Sequence, residues 1–191
     1  MGILALQGAV REHAEAVRAV GAEPVFVRLP RDMVDLDALI LPGGESTTMR
    51  RLIGLYGLRE PILAMARRGA PMLGTCAGMI LLASKLSDAE APVLGLLDAT
   101  IERNAYGRQL DSFEADLDVP ALGDEPLHGV FIRAPVVCDL GDGVEVLARD
   151  EEGRPIAVRQ GQVLATAFHP ELTDDRRLHR LLVEMITPEA E

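Results

Sequence analysis

The stretch Met72-Leu73-Gly74-Thr75-Cys76-Ala77-Gly78-Met79-Ile80 limits the folds open to this chain more than any other. Residues 71–73 have the composition of a short buried strand, which stops at Gly74. An apolar helical pattern (Met79, Ile80, Leu82, Ala83, Leu86) begins almost at once and predicts a helix over residues 79–86. The one reactive side chain at this corner is Cys76, with a glycine two residues away on each side. Strand, Gly-x-Cys-x-Gly, helix is the cysteine form of a nucleophile elbow. A turn this tight needs glycine on both sides so that backbone can pass close to backbone. It would lift the sulfur above a sheet and aim the first helical N–H groups at whatever the sulfur attacks. A buried structural cysteine in a glycine-rich turn has the same local pattern, so the rest of the chain must decide.

Elsewhere strands and helices alternate. Residues 3–6 read as a strand, followed by Val10, Ala14, Val17 and Val20 at helical spacing and a stop at Gly21. Strands follow over 24–27 and 38–41, the latter breaking at Pro42-Gly43-Gly44. Ser46 is placed to cap a helix running to Leu55, and residues 58–68 form the next helix. Such alternation predicts an α/β fold in three layers, with a mostly parallel, flavodoxin-like sheet flanked by helices. Sites in such sheets lie beyond the carboxyl ends of the strands, where Gly8, Gly43-Gly44 and Cys76 all fall. Beyond Pro92 the pattern shifts to strands over 113–119, 130–132, 144–148, 156–158 and 163–168. Turns at Glu152-Gly153-Arg154 and Gln160-Gly161-Gln162 make the last three antiparallel additions to the core. A final helix over 174–186 packs through Leu178, Leu181, Leu182 and Met185. No linker or repeat interrupts the 191 residues, so one domain over 1–191 is expected.

Charge and cysteine usage narrow the function. The formal net charge of −11 argues against a nucleic-acid partner, which needs an excess of Lys and Arg. No apolar run approaches the ~20 residues of a membrane span, and the first residues carry no basic leader pattern. A cytoplasmic chain is expected, with Cys76 and Cys138 as free thiols, a setting in which a lone reactive cysteine is a catalytic candidate.

Among the four histidines, His13 and His179 sit amid charges on helices and are expected at the surface, while His128 could be exposed or buried. His169 ends a strand and precedes Pro170-Glu171, which favours extended backbone. In an extended chain residues i and i+2 project to the same side, so His169 and Glu171 would stand together. A carboxylate beside an imidazole fixes its tautomer and stabilises the imidazolium, the third role in a catalytic triad. The Gly43-Gly44 turn could supply a backbone N–H facing that of Ala77 across an oxyanion, and losing one such donor costs about 2.7–4 kcal/mol of transition-state stabilisation.

Cysteine followed by His-x-Glu near the C-terminus resembles the class I, triad-type glutamine amidotransferases. Six blocks narrow the likeness: Leu6-Gln7-Gly8 with Glu12-His13, Leu41-Pro42-Gly43-Gly44-Glu45-Ser46-Thr47, Gly74-Thr75-Cys76-Ala77-Gly78, Arg103-Asn104-Ala105-Tyr106-Gly107-Arg108-Gln109, Phe131-Ile132-Arg133-Ala134-Pro135 and Phe168-His169-Pro170-Glu171. Together they look like the glutaminase subunit of pyridoxal 5′-phosphate synthase. That resemblance implies Cys76 as nucleophile with His169 and Glu171 as partners, Gly44 and Ala77 at the oxyanion, and Gly44, Glu45, Ser46, Arg103, Ile132 and Arg133 lining a pocket for L-glutamine. Chemistry agrees in part: arginine grips an α-carboxylate, and Glu45 could balance an α-ammonium. Arg103 and Arg133 could equally be structural, paired with surplus acids. The resemblance further implies hydrolysis of glutamine through a thioester, with no metal or cofactor. Ammonia would pass to a (β/α)₈-barrel synthase subunit in a hetero-oligomer. The rivals are a glutaminase serving another biosynthesis, a catalytically silent binding module and a cysteine peptidase.

Overall fold

The computed structural model describes residues 1–88, 90–103 and 112–186. In chain order its elements are β1 (Gly2–Leu4), α1 (Val10–Ala19), β2 (Val25–Val27), β3 (Leu39–Leu41), α2 (Ser46–Leu55), α3 (Arg59–Arg67), β4 (Met72–Thr75), α4 (Ala77–Leu82), β5 (Ala83–Leu86) and β6 (Leu97–Glu102). There follow β7 (Ser112–Leu117), β8 (Leu127–Ile132), β9 (Val136–Leu140), β10 (Glu145–Arg149), β11 (Pro155–Gln160), β12 (Val163–Thr166) and α5 (Arg177–Glu184). A seven-stranded sheet in the order β10-β11-β12-β4-β3-β1-β2 carries the fold. From β12 to β2 all neighbours are parallel, and β10 and β11 extend the sheet antiparallel. Strands β1, β3, β4 and β12 are buried along their whole length, as a parallel sheet covered by helices requires.

The elbow begins as expected. β4 ends at Thr75, Cys76 turns the chain, and α4 starts at Ala77. The predicted helix over 79–86 is nevertheless too long. Ala83 adopts φ −56°, ψ 145°, and residues 83–86 pair in parallel with β6. Leu86 follows Leu82 at helical spacing, but the ladder with β6 captures it instead. Two further strands complete this three-stranded sheet: β6, which alternates apolar Leu97, Ala99 and Ile101 with polar residues, and β9, which does not alternate. The half-exposed segment around residues 113–117 does form a strand, yet among the described residues it pairs only with β8, in a separate ribbon outside the core sheet. The hairpin turns are where the sequence puts them, with Gly153 at φ 80° and Gly161 at φ 55° between antiparallel strands. No helix among the described residues is long and apolar enough to cross a membrane.

Candidate active site

The parallel register brings the chemistry to one edge. Thr166 of β12 pairs with Thr75 of β4, and Leu41 of β3 pairs with Gly74. The residues just beyond these strand ends, Gly43, Cys76 and His169, therefore emerge side by side, and the Cys76 N–H donates to the Thr166 carbonyl at 2.8 Å. Cys76 itself has φ 50°, ψ −104°, a conformation that costs a non-glycine residue about 1–3 kcal/mol. Close packing holds it there, since α4 rests directly on the backbone of β3 and β4 at Gly78 and Gly74.

On one side His169 faces Cys76, which favours the protonated imidazole, while the Cys76 Sγ has the Ile132 carbonyl oxygen at 3.9 Å. On the other, the His169 Nδ1 lies 2.8 Å from Glu171 Oε1. A 3₁₀ turn over Pro170–Leu172 starts right after His169 and carries Glu171 inward, where it is 4% exposed. Burial opposes protonation of His169, but its interactions with Cys76 and Glu171 prevail and push it up to about 10. Burial likewise tends to raise the Glu171 carboxyl, yet the adjoining imidazoles of His13 and His169 outweigh it and hold the group below its ordinary range. The three side chains thus form an acid–histidine–thiol array beside a cavity of about 530 Å³.

That cavity is lined by Gly44, Glu45, Ser46, Cys76, Ala77, Arg103, Ile132, Arg133 and His169, which brings every residue singled out for the pocket to one place except Glu171, buried behind His169. Ala77 is the first residue of α4, so its N–H has no acceptor within the helix. Gly44 follows a peptide whose carbonyl, that of Gly43, accepts from the Ala9 N–H at 3.1 Å. Arg133 sits at φ 44° next to Ile132, whose carbonyl oxygen is 3.9 Å from the Cys76 sulfur. Arg103 donates through Nε to Asp88 at 2.8 Å and reaches Glu90 at 3.2 Å. It is therefore ion-paired while facing the cavity. The remainder of its block, residues 104–109, lies outside the described residues.

Three expectations need correcting. Glu45, and not Ser46, caps α2: its carboxylate accepts from the N–H groups of Thr47 and Thr48 at 3.0 and 2.7 Å, while Ser46 is already helical and buried. The Thr48 hydroxyl and these N–H groups bring the Glu45 carboxyl down to about 2. His13 and His179 are not at the surface: both are fully buried behind the triad, their rings 3.0 Å apart from Nδ1 to Nε2. His128 is exposed and clasped by Glu114 and Asp116. Gln7 and Asp88 were missed as cavity residues. Gln7 accepts from the Glu45 N–H at 2.6 Å and so ties the β1–α1 loop to the pocket wall, a role its place at a strand end hinted at.

The two buried histidines make stability acid-sensitive. Burial holds His13 below its ordinary range and brings His179 down to about 3, so the folded chain keeps both neutral while the unfolded chain protonates them below about 6.5. Stability is therefore lost as pH falls through 6.5. Between pH 7 and 5.5 the pair withdraws about 2–3 kcal/mol. His169 works in the opposite sense: its raised value stabilises the fold below 6.5, and the exposed His128 pulls the same way. The net loss should be about 1–2 kcal/mol, or about 3–6 °C of melting temperature. Thermal melts at the two pH values check this, and His179→Leu should remove most of the net acid-induced drop.

A family model described as the SNO glutamine amidotransferase family matches residues 3–188. The pyridoxal 5′-phosphate synthase subunit PdxT of Geobacillus kaustophilus is 55% identical over 186 residues, covering 97% of this chain and 94% of that protein. Its counterpart from Desulforudis audaxviator is 56% identical over 186 residues, covering 97% and 98%. A crystal structure of a glutamine amidotransferase superposes with a TM-score of 0.91 at 51% identity, covering 97% of each chain. A glutamine amidotransferase from Thermotoga maritima, at 14% identity and a TM-score of 0.64 over 98% of each chain, shares the fold. The chain belongs to the SNO glutamine amidotransferase family.

Proposed function

We propose that this chain is the glutaminase of a pyridoxal 5′-phosphate synthase, hydrolysing L-glutamine to L-glutamate and handing the ammonia to a synthase subunit. The observation that carries the reading is the alignment of Cys76, His169 and Glu171 at the wall of a cavity bearing two arginines. The Cys76 sulfur attacks the side-chain amide carbon, and the backbone N–H groups of Gly44 and Ala77 hold the oxyanion. His169, protonated by its own surroundings, gives its proton to the departing ammonia, leaving a glutamyl thioester. It then takes a proton from the water that releases glutamate. Glu171 keeps the imidazole oriented throughout. Arg103 and Arg133 are suited to the α-carboxylate, for which Arg103 must exchange its present partners Asp88 and Glu90. Glu45, ionised through its cap, offers the α-ammonium a negative charge.

Ammonia set free in water is protonated and lost, so transfer calls for a docked synthase, which the family resemblance suggests is a (β/α)₈ barrel. The chain acts in the cytoplasm on this reading, consistent with two free thiols. A glutamine-mimicking electrophile should label the parent protein, and Cys76→Ala should abolish labelling; an unlabelled parent would sink the proposal. Ammonia release should rise when synthase is added, and equal rates with and without it would refute the coupled transfer.

A further inference from the structure

Behind the triad lies a polar cluster that the mechanism above does not use. His13 on α1 and His179 on α5 are both fully buried, and α1 packs against the turn that carries Glu171. His13 Nε2 is 3.4 Å from Glu171 Oε2 and 3.1 Å from Thr75 Oγ1. Thr75 Oγ1 in turn accepts from the Gly43 N–H at 3.0 Å. Among the described residues, Glu171 Oε2 and His179 Nδ1 have no hydrogen-bond partner, and the 3.4 Å approach of His13 to Oε2 is an electrostatic contact.

Accounting for protons selects one arrangement. Suppose His13 carried its proton on Nδ1 and donated to His179. Then Nε2 would turn a lone pair towards a buried carboxylate oxygen, and the His179 proton would sit on Nδ1, facing nothing. With the proton on Nε2 instead, His13 donates towards Glu171 Oε2 and Thr75, and its Nδ1 accepts from the His179 Nε2–H. Left over are a lone pair on His179 Nδ1 and the Thr75 hydroxyl proton, whose oxygen then accepts from both Gly43 and His13. Each arrangement strands one buried donor, so the carboxylate decides: a buried Oε2 faced by a lone pair is costlier than one faced by an N–H.

We propose that His13 is a positioning residue for the triad carboxylate, its tautomer set by His179, and that through Thr75 it couples Glu171 to the Gly43 end of the oxyanion turn. The proposal rests on the triad reading above. His13 does not touch the reacting atoms; it fixes which Glu171 oxygen serves His169 and keeps the other from turning away. Its burial, helped by the charge of His169, favours the neutral form against Glu171 and Glu12, so a neutral N–H dipole does the work.

Glutaminase kinetics with the synthase present provide the test. His13→Leu should lower kcat about 10–100-fold, as loss of an outer hydrogen-bonding partner does, with KM little changed. His13→Gln, which restores an N–H donor at similar reach, should recover most of that loss. A His13→Leu protein with at least half the parental kcat overturns the proposal, as does equal impairment of the two variants. Nitrogen-15 NMR of the parent imidazoles decides the matter even if a variant fails to fold. His13 should be protonated at Nε2 and bare at Nδ1 from pH 6 to 9, and the opposite tautomer would overturn the proposal. Cys76→Ala distinguishes the two readings, because residual glutaminase activity there would refute the triad and not the His13 arrangement.

Discussion

Gly43→Ala should give a folded chain that hydrolyses glutamine at least about 100-fold more slowly, the penalty expected when a catalytic group is displaced by an ångström or so. A Cβ at this position would stand 2.3 Å from Cε1 and 2.8 Å from Nδ1 of His169, and 3.4 Å from the Cys76 Cβ. The imidazole has nowhere to retreat, because Glu171 holds its Nδ1 at 2.8 Å and it is 6% exposed. Either the Nδ1 hydrogen bond stretches or the glycine turn moves, and the turn carries the candidate oxyanion donor of Gly44. Loss of one such donor alone lowers kcat about 10²–10³-fold. Steady-state ammonia release, with melting temperature measured alongside, checks the result. Activity within tenfold of the parent would show that neither His169 nor the turn is as constrained as the geometry requires.

Gly78→Ala should damage the fold itself, by about 3 kcal/mol or more. Here the added Cβ would meet the Leu41 carbonyl oxygen at 2.0 Å and its carbonyl carbon at 2.9 Å. Flexible side-chain ends can yield to such an intruder, but a backbone carbonyl inside a parallel sheet cannot move without breaking its ladder. Helix α4 would have to lift from β3, taking the Cys76 corner with it. Gly54→Ala in α2 is the matched control, since nothing lies within 4 Å of a Cβ there. That change should be neutral or stabilising by up to about 1 kcal/mol through helix propensity. Urea midpoints of the two variants should therefore move in opposite directions, and a Gly78→Ala midpoint equal to the parent's would refute the close-contact account.

Both glycines of Gly-x-Cys-x-Gly were legible as constraints, but only Gly74 has a local reason, the approach of Gly78 and Leu82. Gly78 is required by the Leu41 carbonyl of the neighbouring strand. The helix caps were less legible. Ser46 is the residue type that favours an N-cap, yet Glu45 takes the position because its longer side chain reaches two N–H groups at once. His13 shows how a neighbourhood misleads. Charged residues surround it in sequence, yet it follows Val10 by three positions and precedes Val17 by four, on the stripe that α1 buries. His179 likewise lies three residues before Leu182 on the buried face of α5. Periodicity held the answer, and composition pointed away from it.

From the sequence alone came the alternating pattern of the parallel sheet, the elbow at Cys76, the His169–Glu171 pair and the blocks that mark the family. Each depends on residues a few positions apart, whose spacing sets which way they face. Only the tertiary structure decided the strand pairing of residues 83–86, the pairing of Arg103 with Asp88 and Glu90, and the burial of His13 and His179 against Glu171. Those outcomes join residues up to 166 positions apart. The register of β4 against β12 and the packing of α1 and α5 behind the sheet determine them, and no local pattern encodes either.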